Sequence, residues 1–207
     1  CLTINGGTVL SSQGTESEVF IPDSLDGYKI VCLGDGNNDF LPSSSTVKKL
    51  YLPEGLTDIS FTACKSNNLE YVQLPSTIQT IASNAFGWCS SLAMVDFSTA
   101  TSLKKIGTSA FAGTKLSGTL VLPASLEEIG LLSFSSCHFN EVIFLGEKLN
   151  SLPYSEDEVS GNPFGLCSID HIYCTQEHAS SWSEYSFLTE GTDGSPLKAV
   201  AVEVMPQ

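Results

Sequence analysis

"LPSTIQTIASNAFGWCSSLAMVDF", residues 74–97, neither alternates like a strand nor keeps one apolar face like a long helix. It carries in order Leu74-Pro75, Ile78 and Ile81 three apart, Ala85-Phe86, Cys89, and then Leu92, Val95 and Phe97. The same order returns downstream. A repeat has to be found before elements are assigned, because it decides the whole fold.

An L-x-x-V-x-L-P core brings together Leu69, Val72, Leu74 and Pro75; Leu92, Val95 and Phe97; Phe139, Val142 and Phe144; and Ile169, Ile172 and Cys174. Upstream, Val47, Leu50, Leu52 and Pro53 fit, as do Val19, Ile21 and Pro22. Residues 116–123 carry one extra residue, which Gly118 can absorb as a bulge. Each core is followed by two apolar residues three apart: Ile30 and Leu33, Leu56 and Ile59, Ile78 and Ile81, Leu103 and Ile106, Leu126 and Ile129, Leu149 and Leu152. Phe86, Phe111 and Phe134 come five residues later, and Phe164 follows an inserted loop. Three residues beyond each Phe stand Cys89, Thr114, Cys137 and Cys167.

A unit of about 22–25 residues cannot bury its apolar side chains alone, so successive coils must stack. "SSLAMVDF" then reads as a strand, the Pro and Ile pair as the return of the chain, and "NAFGWC" as a short helical turn driving Phe86 into the axis. The recurring Cys and Thr are small buried rungs rather than redox groups. Cys64 is expected near that rung and Cys32 in the core. Seven Cys, an odd number, leave at least one thiol unpaired within the chain.

Asp and Glu outnumber Lys and Arg by 23 to 9, giving a formal charge of −14 that repels nucleic-acid phosphates and anionic headgroups. Screening over roughly 8 Å at physiological salt makes this a bias on partner choice. No run approaches the roughly 20 apolar residues of a membrane helix, and residues 1–25 lack a basic start and an apolar signal core. Cys1 is not expected to be a lipid-anchored N-terminal cysteine, because a hairpin is expected to begin at once.

The motifs "LPSTIQTIASNAFGWCSSL", "SLKKIGTSAFAGTKL" and "LPASLEEIGLLSFSSC", with the opening unit "VFIPDSLDGYKIVCLGDG", resemble the BspA-like bacterial leucine-rich repeat family over residues 19–188. The resemblance implies a right-handed leucine-rich repeat solenoid, mostly β with short helical turns, about six repeats and a parallel sheet on one face. It also implies an exported or surface-attached bacterial protein that binds proteins or glycans. Residues 35–46 and 153–161 depart from the family pattern with longer loops. The organisation expected is an N-terminal β-hairpin cap over residues 1–18 around Asn5-Gly6, repeats over 19–174, and a C-terminal cap over 175–207. In that cap Trp182, Tyr185 and Leu188 are expected on one helical face, and "KAVAVEV" as a strand closing the stack or the edge of a further domain.

Chemistry-bearing patterns are sparse. "CSIDHIYCTQEH" spaces Cys167, His171, Cys174 and His178 like a zinc site, but strand alternation sends His171 and Cys174 to opposite faces. "DGNND", residues 35–39, lacks the Gly and Glu of a calcium loop, having Phe40 and Thr46 instead. "SEDEV" reads as a solvated loop. Three His, with no nucleophile elbow and no phosphate loop, give no catalytic grouping. The expectation is therefore no enzyme, no metal and no cofactor.

The residues between the apolar anchors point outward and form rows across the strands. One row is Tyr51, Gln73, Asp96, Val121, Ile143 and Tyr173; its neighbour is Lys49, Tyr71, Met94, Thr119, Glu141 and His171. Together they are the expected concave ligand-binding face, with Tyr51, Tyr71 and Met94 as anchors. Contiguous exposed apolar groups mark contact surfaces, although strand propensity alone also favours Tyr, Val, Ile and Thr here. The expected function is a secreted or cell-surface module binding a protein or glycan, such as a host matrix or mucosal component, without nucleic-acid binding or membrane insertion. The alternative is a spacer repeat with no ligand of its own.

Overall fold

The computed structural model describes residues 2–12, 15–37, 39–147, 149, 162–183, 186–189 and 198–206. Each L-x-x-V-x-L core forms a strand because its alternate apolar residues need one buried face. β3 (Glu18–Phe20), β7 (Lys49–Tyr51), β9 (Tyr71–Gln73) and β11 (Met94–Asp96) pair in parallel. Their register sets Val19, Leu50, Val72 and Val95 side by side on the inner face. β13 (Ser117–Leu122), β15 (His138–Phe144) and β16 (Ser168–Cys174) form a second parallel block. Its register shifts between Gly118 and Thr119, where Gly118 takes φ +80°, the place expected for the bulge.

The chain has a second parallel sheet that the repeat pattern does not announce as strands. The second apolar residue of each pair ends a two-residue strand: β6 (Cys32–Leu33), β8 (Asp58–Ile59), β10 (Thr80–Ile81), β12 (Lys105–Ile106) and β14 (Glu128–Ile129). These stack in register, so Leu33, Ile59, Ile81, Ile106 and Ile129 form a buried column. Coils approach closely beside it: a Cβ on Gly130 would lie 2.3 Å from the Thr108 nitrogen, and one on Gly107 2.3 Å from that of Ser83. The hairpin of β1 (Leu2–Asn5) and β2 (Thr8–Ser12) closes this sheet, β2 pairing in parallel with β6, while β4 (Ser24–Leu25) and β5 (Tyr28–Lys29) form a separate short antiparallel pair. Asn5 pairs with Thr8, so the turn residues are Gly6, at φ +58°, and Gly7, one position beyond the expected Asn5-Gly6.

The third side is built of turns rather than a helix. Residues two before the axial position, Thr62, Asn84, Ser109 and Leu132, all take φ between +50° and +54°. Two after it, Trp88, Gly113, Ser136 and Leu166 take φ of 63–68°. A left-handed residue every fourth position stops helical winding, at roughly 1 kcal/mol or more for each non-Gly residue. Bonds between coils offset this: Phe86 N–H donates to Ala110 C=O at 2.8 Å, Phe111 N–H to Ser133 C=O at 2.7 Å, and Phe134 N–H to Pro163 C=O at 3.0 Å.

These bonds align the axis. Phe86, Phe111, Phe134 and Phe164 are fully buried and stack at 5.4, 5.4 and 5.5 Å between centroids. Cys64 belongs to this column, not to the Cys rung where it was expected. Its N–H donates to Ala85 C=O at 2.8 Å, as Phe86 does to Ala110 one coil on, and it bridges in parallel to Leu41. The shorter unit loses its residue after the axial position, so a Cys stands where a Phe would. Buried Ser66 sits against the Cys89 sulfur instead, its N–H donating to it.

The Cys and Thr rung has a structural reason. Cys89 Sγ donates to Cys64 C=O at 3.3 Å, Thr114 Oγ1 to Phe111 C=O at 2.8 Å and Cys167 Sγ to Phe134 C=O at 2.6 Å. Axial carbonyls thus gain side-chain donors in a space that admits only a small group.

At the C-terminal end, β18 (Lys198–Val204) adds to β16 in parallel, and β17 (Ser186–Thr189) pairs with it antiparallel. "KAVAVEV" is thus a strand on the stack. The expected single helical face is not formed: the α-helix α1 (Ala179–Trp182) has four residues, and Leu188 lies in β17. Tyr185 lies outside the described residues, as do Cys1 and the "SEDEV" loop. Trp182 is fully buried, stacked 4.4 Å from Phe144, with Nε1–H donating to Gly146 C=O at 3.2 Å. Its companion is Phe187, edge-on to Phe164 at 5.3 Å, because the open end of the Phe column takes an aromatic ring better than the helical face supplies one.

Candidate interaction face

The register sets the residues of each row side by side within each block. Lys49, Tyr71 and Met94 are neighbours across β7, β9 and β11, beside Tyr51, Gln73 and Asp96. Thr119, Glu141 and His171 are neighbours across β13, β15 and β16, beside Val121, Ile143 and Tyr173. The rows do not run on from one block to the other. β11 and β13 belong to separate sheets, tied near their start where Lys115 N–H donates to Leu92 C=O at 2.9 Å. The extra residues of the loop after Phe97 and of the strand around Gly118 break the pairing. A cavity of about 200 Å³ lies between Phe97, Thr101, Val121, Pro123 and Leu145.

The two blocks differ in chemistry. In the first, Phe20 stacks on Tyr51 at 4.3 Å with 3° between planes, Tyr51 tilts against Tyr71 at 5.7 Å, and Tyr71 faces Met94 across the ladder. The result is a continuous strip, Phe20–Tyr51–Tyr71–Met94, whose ends are 66% and 59% exposed. Phe20 is the member that sequence reading passed over, although it is the outward residue of the opening unit and opposes Tyr51 in register. Extending the rows back one unit would have found it.

Charges flank the strip in pairs: Lys49 Nζ lies 2.8 Å from Glu18 Oε1, and Lys48 Nζ 2.9 Å from Glu70 Oε1. The hydrogen bond from Lys49 to Glu18, then the charge of Glu18, raises the Lys49 pKa. Partial desolvation, then the nearby Asp96 carboxylate, raises that of the Tyr71 phenol, which stays neutral at physiological pH.

In the second block the outward residues are more polar and more covered. Thr119 Oγ1 lies 3.3 Å from Glu141 Oε2, and Ile143 and Val121 are half-buried. Tyr173 does not offer a free ring: it is buried, with His171 stacked on it at 5.6 Å and Glu203 of β18 opposite.

His171 is exposed and Cys174 buried, on opposite faces of β16 as alternation requires. Asp35 accepts the Asn37 N–H at 2.9 Å and Asp39 pairs with Lys65 at 3.1 Å, so these carboxylates make local contacts. Among the described residues no group of three His, Cys, Asp or Glu is placed to hold a metal, and no helix is long and apolar enough to cross a membrane.

Burial first of all drives the Cys89 thiol up to about 12 from the ordinary 9.0, and pushes Cys64 well above it. Only thiolates alkylate readily. Iodoacetamide at pH 8 should leave Cys64 and Cys89 unmodified in the native protein and label both after denaturation, as read by peptide mass mapping. Between pH 9 and about 12 the folded state binds more protons at Cys89 than the unfolded state does. Stability should therefore fall as pH rises through that window, with a slope approaching about 1.4 kcal/mol per pH unit per such thiol. A denaturation midpoint that held constant from pH 9 to 11 would contradict this burial.

Residues 36–141 match the family model described as a BspA type leucine rich repeat region, in six copies. The chain belongs to the BspA-type leucine-rich repeat family. Such proteins are in general repeat modules rather than enzymes. Among solved structures, the BspA-type chain is similar to a leucine-rich repeat protein of T. pallidum, at 27% identity and TM-score 0.57, over 66% of this chain and 62% of that one. It is also similar to a leucine-rich repeat protein of Bacteroides ovatus, at 16% identity and TM-score 0.55, over 84% of this chain and 53% of that one, a likeness of fold alone. The chain thus spans about three-fifths of the first protein and about half of the second. No curated protein matches its sequence.

Proposed function

We propose that this BspA-type chain is a bacterial surface or secreted interaction module that binds a protein partner through its first strand block. The carrying observation is the strip Phe20–Tyr51–Tyr71–Met94, contiguous and open on a rigid sheet. A preformed surface loses little conformational entropy on binding, so modest contacts suffice.

Protein is favoured over glycan by the orientation of the rings. Sugars pack on free aromatic faces, whereas Phe20 and Tyr51 cover each other face to face and Tyr51 leans on Tyr71. Apart from the outer face of Phe20, what remains outward is mainly ring edges and the Met94 thioether, suited to apolar side chains and carbonyl groups.

Immobilised wild-type protein should retain a partner from the extracellular proteins of its own habitat that Tyr71→Ala/Met94→Ala loses by at least about ten-fold, the scale of one or two contact hot spots. Unchanged melting temperature would show that the loss is local. Partners retained equally by both would leave the spacer reading in its place. Protease shaving of intact cells, with loss of the epitope, tests the surface location.

A further inference from the structure

The two sheet faces end differently at their N-terminal side. The second sheet is closed by the hairpin, whereas β3 has no strand on its outer side among the described residues. Lys49 N–H donates to Ser17 C=O at 3.0 Å, and Ile21 N–H to Tyr51 C=O at 3.0 Å. Residues 17, 19 and 21 therefore turn their peptide groups toward β7. In a parallel ladder the alternate residues aim theirs the other way, which puts N–H and C=O of Glu18 and Phe20 on the open edge.

Such an edge is a template for another strand, and proteins protect it with shortness, charge, Pro or a bulge. Residues 15–20 contain no Pro, Lys or bulge and 15–18 are all exposed; the protection present is the three-residue length of β3 and the negative charge of Glu16 and Glu18, which opposes an acidic strand but not a basic one. The side chains favour an occupant as well. One face of the Phe20 ring lies on Tyr51 at 4.3 Å, and the other looks into the vacant slot. A strand added about 4.8 Å away would seat its own side chain on that face and lengthen the stack.

Charge selects the kind of strand. Within residues 15–20 the ionisable residues are Glu16 and Glu18; Lys49, which pairs with Glu18, lies on the inner side in β7. With a formal charge of −14, a second copy of the chain is repelled and a cation attracted. We propose that β3 takes up an extended basic segment of a partner protein by strand addition, with an Arg or aromatic side chain stacked on Phe20.

The test uses an eight-residue peptide of alternating Arg and Val, its Glu/Val counterpart, and an Arg/Val peptide N-methylated at alternate amides. The Arg/Val peptide should bind and slow amide exchange of Glu18 and Phe20 by at least about ten-fold at saturation, as new hydrogen bonds do. The acidic and N-methylated peptides should not. Phe20→Ala should weaken binding by removing the ring. Phe20→Pro should weaken it roughly five-fold more, the worth of the outward N–H it also removes. Pro at this edge position leaves the β3–β7 ladder intact, which equal melting temperatures of the two variants would verify. Tyr71→Ala/Met94→Ala should leave peptide affinity unchanged, which separates this edge from the proposed face. No binding, equal binding of the acidic peptide, unprotected Glu18 and Phe20 amides, or equal affinities of Phe20→Ala and Phe20→Pro would each overturn strand addition. Should Phe20→Pro melt lower, the N-methylated peptide and the exchange measurement decide alone.

Discussion

Replacing Phe111 by Ala should destabilise the protein by about 3–5 kcal/mol, the range for truncating a large buried aromatic residue. Phe111 is covered on both faces, stacked on Phe86 and on Phe134 at 5.4 Å each, and is edge-on to Phe97 at 5.6 Å. Neighbouring coils are held by inter-coil bonds from Phe86 and Phe111 N–H, so they cannot close readily over the void. Against a total of about 5–15 kcal/mol for a typical domain this is severe. The size of the effect should depend on place as well as chemistry. Phe86→Ala removes a ring stacked on one side only, since Cys64 occupies the column on the other, and should cost less than Phe111→Ala. Denaturant unfolding of the two variants checks the order; equal costs would mean that the column transmits nothing between coils.

What the sequence made legible follows from how each feature is encoded. The axial column was readable because Phe86, Phe111 and Phe134 recur at nearly fixed intervals with Ala or Ser before them. Cys64 was misplaced because a one-residue deletion has two solutions by spacing alone. Only the hydrogen bond from its N–H to Ala85 C=O chooses between them. The second sheet was hidden because two-residue strands leave no alternation to detect; their apolar residues were seen, their ladder was not. The outward rows were right in register, yet their division between β11 and β13 depends on inserted residues shifting a whole strand, a tertiary effect no single unit encodes. Phe20 was missed because the opening unit was read for its inward Val19 and Ile21 alone. In the cap, helical spacing favoured Leu188, but pairing with β18 made that segment a strand and turned Phe187 onto the column.

The same quasi-one-dimensional construction makes Trp182→Ala the second large effect, and gives it a different spatial signature. In a stack each coil is covered by the next, so a terminal coil needs a lid. Trp182 supplies it by stacking on Phe144 and by donating Nε1–H to the buried Gly146 carbonyl. Truncation should cost about 3–5 kcal/mol, of which the unpaired carbonyl contributes about 1–3 kcal/mol. Trp182→Phe keeps most of the stacking and loses only the donor, so it should fall nearer that smaller figure. Because cohesion passes only between neighbours, the damage should stay at one end. Amide exchange should quicken in β15, β16 and β18 while β7 and β9 keep their protection. Phe111→Ala, in mid-stack, should loosen coils on both sides of itself. If Trp182→Ala instead accelerated exchange evenly along the chain, the coils would be one cooperative block, and the side-by-side covering on which the rigid binding face depends would be the wrong account of its stability.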